Sequence, residues 1–336
     1  MSVSPTIVDQ RSFGVALMRR RVVLVFLVVA AARAFAAEYP TKPVRIIAPF
    51  SAGGSVDLVA RLLETDLGKP LGQQIIVDNR GGASGNIGTE LAKNAAPDGY
   101  TLLVNTLPFV TNQFVYDKMP YDPINDFAPI TLLCSVAAVL MSHPSVPVNS
   151  VKDLIALARS KPDALTYATA GPASNPHIAG ELLKNMAKIK LLPVHYKGGG
   201  PSMISTLSGE TQLRFSNGVP QALPHMQAKR LRGLAVTTAT RSADAPQLPT
   251  IAESLPGYEF TTWHVLAAPV KTPAPILAML SEKVRTALRT PDGLRRWQQE
   301  RGLEVIASTP EEMTAHLKKE IAKWRVVFKE QGIKAD

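Results

Sequence analysis

The sequence predicts an α/β protein of two lobes with a ligand cleft between them, and three observations carry that prediction. Short apolar, β-branched runs alternate with segments of helical periodicity, the pattern of βαβ units and parallel sheets. Once a leader is set aside, roughly three hundred residues remain, a length that usually divides into two domains. A strand, glycine turn and helix also follow one another twice, at Arg45–Asp57 and again at Leu165–His177.

The leader comes first. Arg19-Arg20-Arg21 precedes the apolar run Val22 to Ala32, and Ala34-Phe35-Ala36 supplies a small-x-small cleavage site. The run is shorter than the ~20 residues of a membrane span. Residues 1–36 therefore read as a secretory signal cleaved near Ala36, with Met18 an alternative start and the twin-arginine pattern incomplete. Removing them takes away five arginines and one aspartate, which leaves 32 basic and 26 acidic residues, net +6. A modest positive excess suits a small anionic ligand. Basic residues are scattered among acidic ones and not interleaved with aromatics, which argues against nucleic acid.

The strands are expected at Val44–Phe50, Ile75–Asp78, Leu102–Asn105, Leu165–Thr169, Leu192–Tyr196, Leu213–Phe215, Leu231–Val236 and Val265–Pro269. Helical periodicity covers Ser55–Leu67, Asn86–Asn94, Val151–Arg159, Pro176–Met186 and Pro201–Leu207. The C-terminal part turns mostly helical, at Ala274–Leu288, Gly293–Glu300 and Pro310–Lys329, the last opened by Pro310-Glu311-Glu312. Between Pro120 and Pro129 the chain is turn-rich and leads into the long apolar run Ile130–Met141, where it leaves one lobe for the other. A second crossing follows Val236, where Thr237 to Pro249 is polar. Cys134, the only cysteine, lies in that apolar run and reads as a buried, inert thiol, so the cores must hold the fold without a disulfide.

The two glycine turns carry the chemistry. In the first, Ser55 stands at a helix N-cap and Val56, Val59, Leu63 and Leu67 line one face. In the second, Ser174 or Asn175 caps, Pro176 takes the first helical position, and Ile178, Leu182, Leu183 and Met186 form the stripe. A helix N-terminus leaves N–H groups unpaired at the positive end of the dipole, and glycines let an anion approach the backbone. Either turn alone is an ordinary βα connection. Two copies in different halves, both beyond the carboxyl ends of strands, place an anion site between lobes.

Enzyme signatures are lacking. The six histidines show no His-x-x-x-His spacing, so no metal ligand set is expected, and no catalytic residue or cofactor is assigned. Neither a Gly-x-Ser-x-Gly elbow nor a Walker-type loop occurs, and Gly82, Gly85 and Gly88 lack the strand–helix unit of a nucleotide site.

Taken together, several segments resemble the Bug family of periplasmic solute-binding proteins, the receptors of tripartite tricarboxylate transporters. They are Tyr39-Pro-Thr-Lys-Pro-Val-Arg-Ile-Ile-Ala-Pro-Phe50, Gly53-Gly54 with Asp57, Val77-Asp-Asn-Arg80, Gly85-Asn-Ile-Gly88 and Ala96-Pro-Asp-Gly-Tyr-Thr-Leu-Leu103. Further along come Tyr121-Asp-Pro with Asp126-Phe-Ala-Pro-Ile130, Tyr167-Ala with Gly171 and His177, and Tyr196-Lys-Gly198 with Pro201. Leu231-Arg-Gly-Leu-Ala-Val236, Pro249-Thr-Ile-Ala-Glu253, Pro256-Gly-Tyr258, Trp263 and Ala268-Pro with Thr272-Pro273 complete a match from Tyr39 to Ile333.

The resemblance implies a type II periplasmic-binding-protein fold, with lobe 1 at 38–138 and 238–336 and lobe 2 at 139–237. It implies a small organic acid held by backbone N–H groups and bridging waters in a monomeric receptor. Its partners would be a large and a small integral-membrane permease subunit. The family's binding loops fall here on Phe50–Asp57 (with Phe50, Ser51, Gly53, Gly54 and Asp57) and the Asn105-Thr106 turn in lobe 1. In lobe 2 they fall on Ala170–His177 (with Gly171, Ser174 and His177), Tyr196–Pro201 and Phe215–Asn217 (with Ser216 and Asn217). Ser51 stands where proline is common, Gly81 and Ser84 replace the usual proline and glycine, Glu210 and Lys229 replace frequent glycines, and His264 replaces another. Those departures bear on the ligand and not on the fold.

Taken singly, Thr106, Ser174 and Ser216 offer hydroxyl donors, with capping or surface roles as the alternative. Asp57 is expected to brace its loop, and His177 to face the cleft or serve as a structural histidine. Lys197 attracts acids or is simply solvated, and Trp263 faces an aromatic ligand or packs in the core. The same closure would serve a receptor feeding a sensor kinase, and an enzyme processing a carboxylate is the third alternative.

Overall fold

A computed structural model describes residues 39–216, 218–242 and 244–331. The leader expected at 1–36, and Asn217, lie outside the described residues. From Lys42 onward the chain forms one compact unit.

The first part runs β1 (Val44–Ala48), α1 (Ser55–Leu71), β2 (Ile75–Asn79), α2 (Asn86–Lys93), β3 (Thr101–Thr106), α3 (Pro108–Thr111) and β4 (Phe127–Ala137). Next come β5 (Val139–Ser142), α4 (Val151–Ser160), β6 (Thr166–Thr169), α5 (Asn175–Ala187), β7 (Leu192–His195), α6 (Gly199–Leu207), β8 (Leu213–Phe215), α7 (Val219–Gln227) and β9 (Arg232–Val236). The chain returns through β10 (Thr261–Pro269), α8 (Ala274–Arg289), α9 (Pro291–Leu294), β11 (Glu304–Val305) and α10 (Pro310–Gln331).

These strands make two sheets, ordered β11-β4-β10-β3-β1-β2 and β7-β6-β8-β5-β9. The expectation of parallel sheets holds only for their βαβ halves. β1 pairs in parallel with β2 and β3, and β6 with β7 and β8. The remaining pairings are antiparallel: β10 with β3 and β4, β11 with β4, and β5 with β8 and β9. The apolar run read as one crossing is two strands, β4 in the first sheet and β5 in the second, parted at Ala138. The return crossing is tied to it, since Thr237 N–H donates to the Ala138 carbonyl at 3.0 Å and Phe260 N–H to the Thr237 carbonyl at 2.8 Å.

The stripe predicted for α1 is buried: Val56, Val59, Leu63 and Leu67 are at most 2% exposed. Helix α7, which contains Pro220 and Pro224, has no counterpart among the sequence expectations. Pro220 sits in the first turn, where no N–H is needed, and burial of Val219 and Ala222 holds the rest. Cys134 is wholly buried, which raises its thiol pKa, as an inert thiol requires. Trp263 is core: its indole and that of Trp324 both donate to the buried Glu320 Oε2, at 2.9 and 3.0 Å. Among the described residues no helix is long and apolar enough to cross a membrane.

Candidate ligand-binding site

The site is built from the ends of β1, β3 and β6 and the starts of α1, α5 and α6. After β1 the chain passes Phe50 and reaches Gly53, whose φ of +80° favours glycine. Gly54, not Ser55, is the N-cap of α1, and no side chain caps it. Asp57 Oδ2 instead accepts from Gly53 N–H at 3.0 Å and from Arg61 Nε at 3.1 Å, so the carboxylate fixes the turn. The first backbone bond of α1 runs from Leu58 N–H to the Gly54 carbonyl, which leaves the preceding N–H groups without a helical acceptor.

The second turn is braced from within. Ser174 is the N-cap of α5, yet its hydroxyl donates to the Gly171 carbonyl at 2.6 Å and accepts from Ala170 N–H at 3.1 Å, and it makes no cap bond. His177 is fully buried and accepts from Ala173 N–H at Nδ1, 3.0 Å away, which puts its proton on Nε2 toward Glu181. Helix α6 starts two residues earlier than its proline suggests, at Gly199, with the uncapped Gly198 at φ +129°. Three helices therefore present first turns that no side chain caps. The contrast is α4, where Ser150 Oγ accepts from Asp153 N–H at 3.1 Å.

The three termini converge on a narrow pocket whose free cavity is about 20 Å³. It is lined by Phe50, Gly54, Ser55, Val56, Thr106 and Pro108 from one lobe and Ala170, Ser174, Asn175, Pro176 and Gly199 from the other. None of those side chains is charged. A Cβ on Gly54 would lie 3.9 Å from Gly199 N, and one on Gly198 only 2.8 Å from Ser51 Cβ. The Ser51 hydroxyl donates to the Lys197 carbonyl, and that of Ser84 to the Pro172 carbonyl. The lobes thus meet in a closed arrangement.

Deeper in, Asn175 Nδ2 donates across the lobes to Thr262 Oγ1 at 2.7 Å and Thr106 Oγ1 at 3.2 Å. Thr106 gives its single proton to the Trp263 carbonyl at 2.6 Å, so Thr262 must be the donor of the 2.8 Å bond between the two threonines. The Thr106 hydroxyl is therefore committed as a donor here. Asn175 Oδ1 is buried without a hydrogen-bond partner beside the pocket.

Of the predicted residues, the structure brings Phe50, Gly54, Thr106 and Ser174 to the pocket. Ser51 and Gly171 line a wider cavity of about 740 Å³, together with Tyr196 and Lys197. Gly53, Asp57 and His177 stand behind the turns. Ser216 is not brought in: its hydroxyl donates to the Gly218 carbonyl at 2.9 Å and accepts from Val139 N–H at 2.9 Å at the crossing. Ser55 and Gly199 enter the pocket wall from the expected binding loops at 50–57 and 196–201, and Asn175, singled out from sequence as a cap, enters from the loop at 170–177. The Ser-Asn-Pro order held the available signal, since with Ser174 as cap Asn175 is free to point elsewhere.

Residues 59–333 match the family model described as the tripartite tricarboxylate transporter family receptor. The chain belongs to that family. Among curated relatives of this receptor family, Protein BugT of Bordetella pertussis is 33% identical over 309 residues, covering 90% of this chain and 94% of BugT. A protein of Pseudomonas sp. strain P51, described as a UPF0065 protein in the tcbD-tcbE intergenic region, is 32% identical over 300 residues, 89% of each chain. Among solved structures, R. palustris Rpa4515 with adipate superposes with a TM-score of 0.85 at 37% identity, covering 88% of this chain and 99% of the other. The periplasmic binding protein BugD gives 0.83 at 32% identity, with 88% and 100% covered. MatC from Rhodopseudomonas palustris with bound malate gives 0.81 at 29%, with 86% and 99% covered. The family is one of two-lobed periplasmic receptors, and the α/β fold expected from sequence is the one found.

Proposed function

We propose that this protein is an extracytoplasmic receptor, not an enzyme, that captures a small carboxylate-bearing ligand by lobe closure and delivers it to a tripartite tricarboxylate-type permease. The observation that carries the reading is the meeting of three uncapped helix N-termini at a pocket without a charged side chain. Each terminus contributes roughly 0.3–1 kcal/mol toward a bound anion, more where water is excluded. The carboxylate is held by the first-turn N–H groups of α1, α5 and α6, with the Phe50 ring as apolar wall and Ser51 and Gly171 at the entrance. Asp57 and His177 act from behind, by holding the turns in register.

The adipate and malate complexes of two relatives support a carboxylate ligand. The lobes divide at 138/139 and 237/238, and the receptor works as a monomer in the periplasm after cleavage near Ala36. A thermal-shift screen of organic acids against their amides tests the reading. An acid at about 100 times its Kd adds ~2.7 kcal/mol and moves the melting point by several degrees. A shift with acids that the matching amides do not give is expected. No shift from any acid, after unfolding and refolding to strip a retained ligand, would sink it.

A further inference from the structure

The second sheet holds a cation that no described residue balances. Arg214, in the middle of β8, is fully buried. Its Nη1 reaches Ser202 Oγ at 3.2 Å and the Gly199 carbonyl at 3.5 Å, while Nε and Nη2 have no hydrogen-bond partner. Among the described residues no carboxylate acts on it: burial alone lowers its pKa, to about 10, which leaves it charged at neutral pH. Its titratable neighbour is another base, His225, whose pKa is held down first by burial and then by Arg230 and Arg214. Buried charges in proteins are ordinarily paired, because desolvation is otherwise uncompensated.

The position is also the wrong end of a helix for a cation. Gly199 and Ser202 belong to the first turn of α6, where the dipole is positive and an anion is favoured. Gly199 in turn lines the pocket opposite Gly54. One residue of backbone thus separates the guanidinium from the cleft. Asp57, the acid in the first turn of α1, is engaged by Gly53 N–H and Arg61.

We infer that Arg214 is the built-in counter-charge for the ligand, and that it selects anions of two or more charges over singly charged analogues. This rests on the reading of the cleft as an anion site. Three helix termini supply roughly half a unit of positive charge each. Arg214, behind Gly199, adds a full unit, so the positive charge around the pocket exceeds what one carboxylate neutralises. In the empty receptor Arg214 is an uncompensated buried charge, and ligand binding relieves it.

The test compares wild type with Arg214→Met, which would stand opposite Met141 across the β5–β8 pair, and with Arg214→Lys, which keeps the charge. Melting points without ligand are measured, together with Kd values for dicarboxylates found in the acid screen and for their monoamides. Arg214→Met is expected to melt above wild type when empty, and to lose on the order of tenfold of the preference for dianion over monoamide. Arg214→Lys should retain most of that preference. Unchanged charge preference in Arg214→Met would overturn the inference while leaving the carboxylate receptor intact. So would an empty variant melting well below wild type, since Arg214 would then be a satisfied structural group. If wild type binds no acid at all, the receptor reading itself falls and this inference with it.

Discussion

Asn175 is expected to act as a latch between the lobes, and its removal should weaken ligand binding more than it weakens the fold. Its amide donates to Thr262 at 2.7 Å and to Thr106 at 3.2 Å, and the residue is only 5% exposed. Neutral hydrogen bonds contribute about 0.5–1.5 kcal/mol each, so the pair contributes roughly 1–3 kcal/mol. Under the closure mechanism these bonds exist only when the lobes meet, and their loss falls on the closed state. Asn175→Ala should therefore raise Kd by about 5- to 150-fold, chiefly through faster release. Asn175 also lines the pocket, so a direct ligand contact must be separated from the latch. Thr262 does not line it, and Thr262→Val deletes the shorter bond while keeping the side chain's shape. A double-mutant cycle by titration calorimetry, with the acid giving the largest thermal shift, should show a coupling of about 1 kcal/mol between the two substitutions. Additivity within ~0.3 kcal/mol, or Kd values within twofold of wild type, would refute the latch.

Three further outcomes follow from the same geometry. Gly198→Ala places a methyl group 2.8 Å from Ser51 Cβ at a φ of +129°, so Kd should rise at least tenfold, read by calorimetry, with a stability cost of about 1–3 kcal/mol. His264 is wholly buried, and burial holds its pKa down to about 3 against an ordinary 6.5. The unfolded chain takes up that proton below pH 6.5 and the native chain does not until about pH 3, so stability is complete above 6.5 and is lost as pH falls toward 3. His264→Gln should flatten this slope in thermal melts between pH 4 and 7. Glu320→Leu strands the indole N–H groups of Trp263 and Trp324, at about 1–3 kcal/mol each, and chemical denaturation should show the loss.

Much of the site was legible because its signals are local. The spacing of Val56, Val59, Leu63 and Leu67 announces a buried helical face, and Gly53-Gly54 announces the turn before it. Asp57 as a brace could be expected from its place in the first turn. Other features are not local. The cap of α1 fell on Gly54 and the start of α6 moved to Gly199, because an uncapped terminus leaves no capping residue to read. The mixed sheets escaped because one apolar run cannot show that it pairs with two different sheets on either side of Ala138. In Leu213-Arg214-Phe215, strict alternation would turn the arginine to solvent, but α6 lies over that face of the sheet and seals it.

The sequence by itself determined the alternation of strands and helices, the two glycine turns, and the family to which the chain belongs. Each of these is written in residues close together in the chain, or in an ordered set of such segments. Only the tertiary structure decided which groups meet in the pocket, where Asn175 reaches Thr262 across 87 residues of sequence. It also decided which charge stays unpaired, since whether Arg214 finds a carboxylate depends on every element packed around it. Pairing and burial are properties of neighbours in space, and no spacing along the chain encodes them directly.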